Sequence, residues 1–257
     1  MAVIAEALKR RVEDAGINAS APTQQLWMDG WLVRYSPGKA KRARCVNAVA
    51  LGTQTLGDKL AACERLYREH QLSLVVRITP FTQPEHLDAH LEAQGWDIFD
   101  DSRVMVHPDL SSLNAWTQPA GLRVTLAHPD EYAQVVGALR GSSPEQCDAH
   151  AQRMKTSPVP YRGVVWRRGD EVVACGQYAR EGSLVGLYDV FTAPKARGQG
   201  LARKLCASLL IQARAEGAQA AYLQVETGNA PARAVYHRLG FSDAYGYHYR
   251  SPEPDAH

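Results

Sequence analysis

The chain has 257 residues, enough for one large domain or for two of about 120 to 130 residues each. Hydrophobic residues make up 45% of it, and 29 basic against 27 acidic side chains leave a formal net charge of +2. That balance excludes a disordered chain, and with no face that concentrates Lys and Arg it excludes a nucleic-acid partner. The densest basic run, Lys39 to Arg44, carries four charges in six residues and reads as a solvated strand edge or loop, with an anion contact as the alternative.

The opening residues, Met1 to Arg11, place charges within and after the apolar positions, so they read as an amphipathic helix over residues 2–15 and not as a secretion signal. Extended stretches follow at Trp27–Tyr35 and Arg44–Ala50, separated by the turn signal Ser36-Pro37-Gly38. Apolar positions Leu56, Leu60, Cys63, Leu66 and Tyr67 predict a helix from Leu56 to His70. A short strand at Leu74–Ile78, a helix from Pro84 to Gln94 stopped by Gly95, and a strand at Trp96–Val106 complete this half.

The Pro-, Ser-, Asn- and Asp-rich segment 107–121 reads as a linker, dividing the chain into domains 1–106 and 122–257. A strand at Leu122–Leu126 and helices at Pro129–Leu139 and Pro144–Lys155 come next. Three strands then follow as a meander, at Gly163–Trp166, Val172–Tyr178 and Leu184–Phe191, joined by the hairpin turns Arg168–Asp170 and Arg180–Ser183. The helix Leu201–Glu216 keeps Leu201, Leu205, Leu209 and Ala213 on one stripe and ends at Gly217. A strand at Ala220–Glu226, a helix at Ala230–Leu239 and a last hairpin or strand pair at Phe241–Arg250 close the pattern. A meander followed by strand, helix, strand, helix, strand makes a mixed, mostly antiparallel α/β sheet flanked by helices.

Five cysteines, far apart and odd in number, include no Cys-x-x-Cys pair, so no metal site is expected and the thiols read as free in a reducing compartment. No apolar run approaches the roughly 18 residues of a membrane span, so no membrane partner and a cytoplasmic location are expected.

The segment from Val190 to Ala202 is the most informative. A strand ends there and a helix begins, with Arg197, Gly198 and Gly200 at the junction. Unsatisfied N–H groups and the helix dipole at such a junction favour an anion, and glycine lets a diphosphate come close. A Walker A loop is excluded, since neither four residues between glycines nor a Gly-Lys-Ser/Thr ending is present. A dinucleotide fingerprint would need glycine where Arg203 stands, and a doubly wound sheet would need more than the 31 residues that follow Glu226.

Arg197-Gly-Gln-Gly200-Leu-Ala202 resembles the Arg-x-x-Gly-x-Gly/Ala signature of the GNAT superfamily of acyl-CoA N-acyltransferases. The block from Leu223 to Phe241, with Asn229, Tyr236, Gly240 and Phe241, is similar to that family's strand, Asn, Tyr-bearing helix and Gly-Phe. The match covers residues from about 120 to 250. The resemblance implies acetyl-CoA as cosubstrate, with backbone at Val190 and Thr192 on its pantetheine arm. Arg197, Gly198, Gln199, Gly200, Leu201 and Ala202 would hold its diphosphate. Asn229 would bond the arm, although as a bare feature it is a good helix cap. Tyr236, seven residues on and so on the same helical face, would be the general acid toward the departing thiolate, where the alternative is a core aromatic.

A glutamate that serves some members as base is Gln224 here. Glu226, on the same strand face, is preferred in its place, with Asp189 second and His237 and His248 behind them. A solvated ion-pair role is the alternative for either carboxylate.

The first half echoes the helix-Gly-aromatic ending at Leu87–Trp96, with Leu91 in the register of Tyr236 and Pro84 in that of Asn229. It carries no Arg-x-x-Gly turn, so it resembles a degenerate second copy of the fold, a tandem arrangement. Its expected job is to wall a substrate pocket, with Trp27, Trp31, Tyr35, Arg42 and Arg44 as candidate lining, or to make a homodimer contact. The expected activity is acetylation of a primary amine on a small molecule or amino acid by direct attack. Protein or peptide acetylation, and a non-catalytic acyl-CoA sensor, are the alternatives.

Overall fold

A computed structural model describes residues 4–37, 40–113 and 118–253; Gly38 and Lys39, and four residues of the expected linker, lie outside it. The chain forms two compact units.

The first unit holds the described residues up to Ala19, then Val104–Val225 and Asn229–Ala244. Its strands are β6 (Arg123–Ala127), β7 (Tyr161–Arg168), β8 (Glu171–Glu181), β9 (Leu184–Thr192) and β10 (Ala220–Glu226). β6 to β9 form the expected antiparallel meander, and β9 then pairs with β10 in parallel. Helix α6 (Leu201–Ala215) buries Leu201, Leu205, Leu209 and Ala213 against Trp166, Tyr178, Leu187 and Leu223 in the main core. Helices α4 (Pro129–Arg140) and α5 (Pro144–Thr156) make a second core, where Tyr132, Val136, Ala151 and Met154 meet Val165 and Cys175. α5 starts from a capping box in which the Ser143 hydroxyl accepts from Gln146 N and the Gln146 side chain accepts from Ser143 N.

The second unit holds Ser20–Arg103, Glu226–Gly228 and the described residues from Tyr245 on. Its sheet contains β1 (Gln25–Met28), β2 (Trp31–Arg34), β3 (Val46–Asn47) and β4 (Val76–Ile78). It also takes residues of β11 (Ser242–Ser251), whose His248, Tyr249 and Arg250 lie antiparallel to Ile78, Arg77 and Val76 of β4. Helices α2 (Leu56–Glu69) and α3 (Leu87–Ala93) cover it, with Leu60, Cys63, Tyr67, Leu87 and Leu91 packed on Trp31, Val33, Val46 and Val76.

Several expectations change. The stretch Trp27–Tyr35 is not one strand but a hairpin, β1 to β2, turning on Asp29 and Gly30 at φ +43° and +84°. Both central residues are left-handed, as a two-residue hairpin loop requires. The Asp29 carboxylate accepts from Thr53 N and Gln54 N, and these bonds hold its pKa down to about 2. In place of the last hairpin or strand pair expected at Phe241–Arg250 there is one ten-residue strand, β11 (Ser242–Ser251).

α1 (Glu6–Ala19), expected in the first-half domain, belongs to the first unit. There Asn18 donates to the Glu181 carboxylate at 3.1 Å and Tyr161 Oη donates to Ala19 O at 2.6 Å. The expected linker is partly built in: His107, the last residue of β5 (Asp97–His107), and Leu110 are buried, and Arg214 donates to the carbonyls of Leu110 and Leu113.

Among the described residues, no helix is long and apolar enough to cross a membrane and no His/Cys/Asp/Glu group is arranged for a metal ion. All five cysteines are free and buried.

Candidate active site

β9 is the scaffold of the site. Opposite β8 its register jumps, with Cys175 facing Phe191 but Gln177 facing Tyr188, so Asp189 and Val190 together oppose Gly176. This bulge puts Asp189 at φ +49°, a left-handed backbone that a non-glycine residue holds only where its surroundings enforce it. Gly176 is the residue that fits beneath, since a Cβ there would come 3.1 Å from Leu209 and 3.2 Å from Leu205. On its other side β9 leaves β10: the parallel ladder ends at Leu187 and Leu223, and Tyr188–Thr192 continue past it. The two strands therefore part after Leu187 and Leu223.

After β9 the chain makes a single 3-10 turn at Pro194–Ala196 and enters α6 through Arg197–Gly200. Gly198 and Gly200 have φ of +77° and +71°, and a Cβ on either would meet nothing, so backbone conformation and not space selects glycine. α6 has no side-chain cap, and its first intrahelical bond is donated by Lys204 N to Gly200 O. The N–H groups of Leu201, Ala202 and Arg203 precede that bond and point out of the helix end, as an anion site requires.

Arg197 donates to Thr192 O at 3.4 Å, with its guanidinium 5.9 Å from the Phe191 ring centre. Arg168, which sequence reasoning did not single out, donates to the Gln199 side chain at 2.9 Å and brings a second cation to the turn. Thr192 Oγ1 is sealed from solvent without a hydrogen-bond partner. This orphan hydroxyl, the uncapped helix end and the two arginines fit the diphosphate and amide-bearing arm of an acyl-CoA.

Tyr236 stands on α7 (Ala230–Arg238), half-buried, with its ring edge-on to Phe241 at 6.1 Å. Burial, with Cys206 of α6 nearby, raises its phenol above the ordinary value and keeps it protonated. Asn229 Oδ1 accepts from Ala232 N at 3.2 Å, the cap the sequence offered as the plain reading. Gly240 ends this segment at φ +94°, where a Cβ would come 2.7 Å from His107 Nε2.

Residues 7–250 match the family model described as "Probable histone acetyltransferase Rv0428c C-terminal". The chain belongs to that family. It is a GNAT protein, an acyl-CoA-dependent N-acetyltransferase by kinship.

The "Uncharacterized N-acetyltransferase YobR" of Bacillus subtilis is 25% identical over 231 residues, covering 86% of this chain and 89% of that one. An "IAA acetyltransferase" of Azospirillum brasilense is 34% identical over 95 residues, which are 36% of this chain and 62% of that protein. A GCN5-related N-acetyltransferase from Kribbella flavida has the same fold at a TM-score of 0.69 and 17% identity, covering 98% of this chain and 97% of its own. A tandem GNAT protein from the clavulanic acid biosynthesis pathway aligns at 0.61 and 16% identity, over 77% of this chain and 70% of its own. The tandem GNAT architecture expected from the sequence is thus the fold of the relatives.

Within this GNAT protein the expected bases part company. Asp189 is no free carboxylate. Its Oδ1 accepts from Arg140 at 2.7 Å, and its Oδ2 accepts from Gln177 at 2.6 Å with His150 Nε2 at 3.2 Å. Burial opposes its charge, but the His150 hydrogen bond and the Arg140 and Arg153 charges win and hold it far below the usual carboxylate range. A carboxylate so occupied is a weak proton acceptor. Glu226 ends β10 as an exposed side chain and groups with the second unit. His237 Nδ1 lies 3.1 Å from Phe241 O, and His248 Nε2 lies 3.0 Å from Asp88 Oδ1, so both lesser candidates are engaged.

In the second unit, Leu91, which stands in the register of Tyr236, is fully buried. Trp31 is sealed in the core, where its Nε1 donates to Gln83 O, whereas Trp27 is 65% exposed. The two indoles therefore do not line one pocket.

Proposed function

We propose that this protein transfers an acetyl group from acetyl-CoA to a primary amine of a small molecule or amino acid. The observation that carries the reading is the meeting, within one unit, of a strand splayed past its ladder, two left-handed glycines and an uncapped helix end. In this reading Val190 and Thr192 offer backbone groups to the pantetheine arm. Arg197 to Ala202 hold the diphosphate, and Asn229 acts as cap and neighbour of the arm. Tyr236 gives its proton to the sulfur as the amine nitrogen takes the acyl carbon.

A small acceptor is favoured over a histone tail because a net charge of +2 offers no acidic attraction for a strongly basic peptide. Peptide acetylation is the second reading, supported by the family's description.

Thermal unfolding with and without acetyl-CoA tests the cosubstrate. Ligand at about 100 times its Kd adds roughly 2.7 kcal/mol, a rise of several degrees at about 2–4 °C per kcal/mol. The shift is expected in the parent and absent in Arg197→Glu. No shift at saturating acetyl-CoA would sink the cosubstrate assignment.

A further inference from the structure

One titratable side chain beside the β9 bulge has no part in the reading above. His150 stands in the middle of α5, part-buried, with its side chain 14% exposed. Its Nε2 lies 3.2 Å from Asp189 Oδ2, and the Tyr132 ring stands edge-on to it at 6.4 Å. A carboxylate that only accepts fixes the proton on Nε2 and leaves Nδ1 as the basic nitrogen. Among the described residues Nδ1 has no hydrogen-bond partner, and it is not one of the polar atoms sealed from solvent.

Asp189 cannot swing away from the ring. Arg140 and Gln177 grip both of its oxygens, Tyr132 Oη donates to its backbone carbonyl at 3.1 Å, and the bulge fixes its φ at +49°. The charged and titratable groups around the His150–Asp189 pair are Arg140 and Tyr132 of α4, Arg153 of α5 and Cys175 of β8, with Gln177 as the neutral neighbour. The next residue along β9 is Val190, so the imidazole stands beside the strand segment that leaves its ladder.

We propose that His150 is the general base that deprotonates the acceptor amine, with Asp189 as the positioning residue that fixes its tautomer. The inference rests on the N-acetyltransferase reading. His150 Nδ1 takes one proton from the ammonium group and becomes imidazolium. The freed nitrogen pair forms the bond to the thioester carbonyl carbon as the C–S pair leaves with sulfur. Tyr236 gives sulfur a proton and recovers one from the nitrogen, and His150 releases its own proton to solvent. One ammonium and one thioester thus become one amide, one thiol and one proton.

The test follows thiol release from acetyl-CoA with a panel of small primary amines, on the amine the parent turns over best, across about pH 5.5–9. His150→Gln is expected to lower kcat/KM about 100-fold and to flatten the acidic limb, while the acetyl-CoA thermal shift stays as in the parent. Asp148→Asn, at an exposed carboxylate of the same helix, is expected to keep both rate and limb. Parent-like rates in His150→Gln, or an equal loss in Asp148→Asn, would overturn the proposal.

If the parent binds acetyl-CoA but acetylates no amine, the catalytic reading fails, and the tautomer is then read directly. Histidine 15N spectra should show His150 protonated on Nε2 in the parent, with that preference relaxed in Asp189→Asn. A ring protonated on Nδ1 would sink the inference on its own.

Discussion

Tyr236 reaches its place because Asn229 starts α7 and Gly240 stops it, so one short helix sets the height of the phenol above α6. Tyr236→Phe removes the proton and little else, since among the described residues the hydroxyl makes no hydrogen bond. Its kcat is expected to fall about 100-fold or more in the thiol-release assay, with the acetyl-CoA Kd unchanged. A sensor would show no change in either. The turn at Arg197, Gly198 and Gly200 and the Asn229 cap were legible in the sequence because the chemistry of a strand-to-helix turn and a helix cap is local. The partnership of His150 with Asp189 was not. The two lie about forty residues apart and meet only through the packing of α5 beside the bulge, and nothing near His150 in sequence marks it.

α5 carries His150, and its start rests on one hydroxyl and one amide: Ser143 Oγ and the Gln146 side chain, each accepting a backbone N–H of the other. Ser143→Ala is expected to cost about 1 kcal/mol and to lower Tm by about 2–4 °C, with turnover kept below the new transition; scanning calorimetry and the thiol assay check both. Long helices with a clear apolar stripe, such as α2 and α6, were legible nearly to the residue, because their periodicity is the same signal that packs them. The β1–β2 hairpin was missed although Asp29-Gly30 is a strong turn signal, since the alternation on either side was read through it as one strand. The segment after β5 looked like linker because its composition is polar, yet Leu110 and Arg214 tie it down through contacts a hundred residues long.

At the scale of the whole molecule, acid acts on groups in both units. Burial lowers the His107 pKa below its usual 6.5, so the unfolded chain binds that proton more readily than the native one. Stability is therefore expected to hold above about pH 6.5 and to fall as pH drops through the lowered value. Asp88 and Asp189 are held below the usual carboxylate pKa, so their contribution is present above about pH 4 and lost below it. Urea midpoints from pH 7.5 to 3 should show both declines, and His107→Asn should remove the upper one.

The boundary expected at 106 stands beside the change of unit between Arg103 and Val104. The exchange of α1, and of β11 from Tyr245 on, was not legible, because nothing local says which sheet a helix or strand will join. That exchange has a consequence for synthesis. α1 leaves the ribosome some 140–170 residues before the strands it packs on, and β4 waits some 165 residues for β11 to pair with it. At about 5–20 residues per second that wait is roughly 8–35 s, during which a nascent strand edge stands open to chaperones or to a neighbouring chain on the same message.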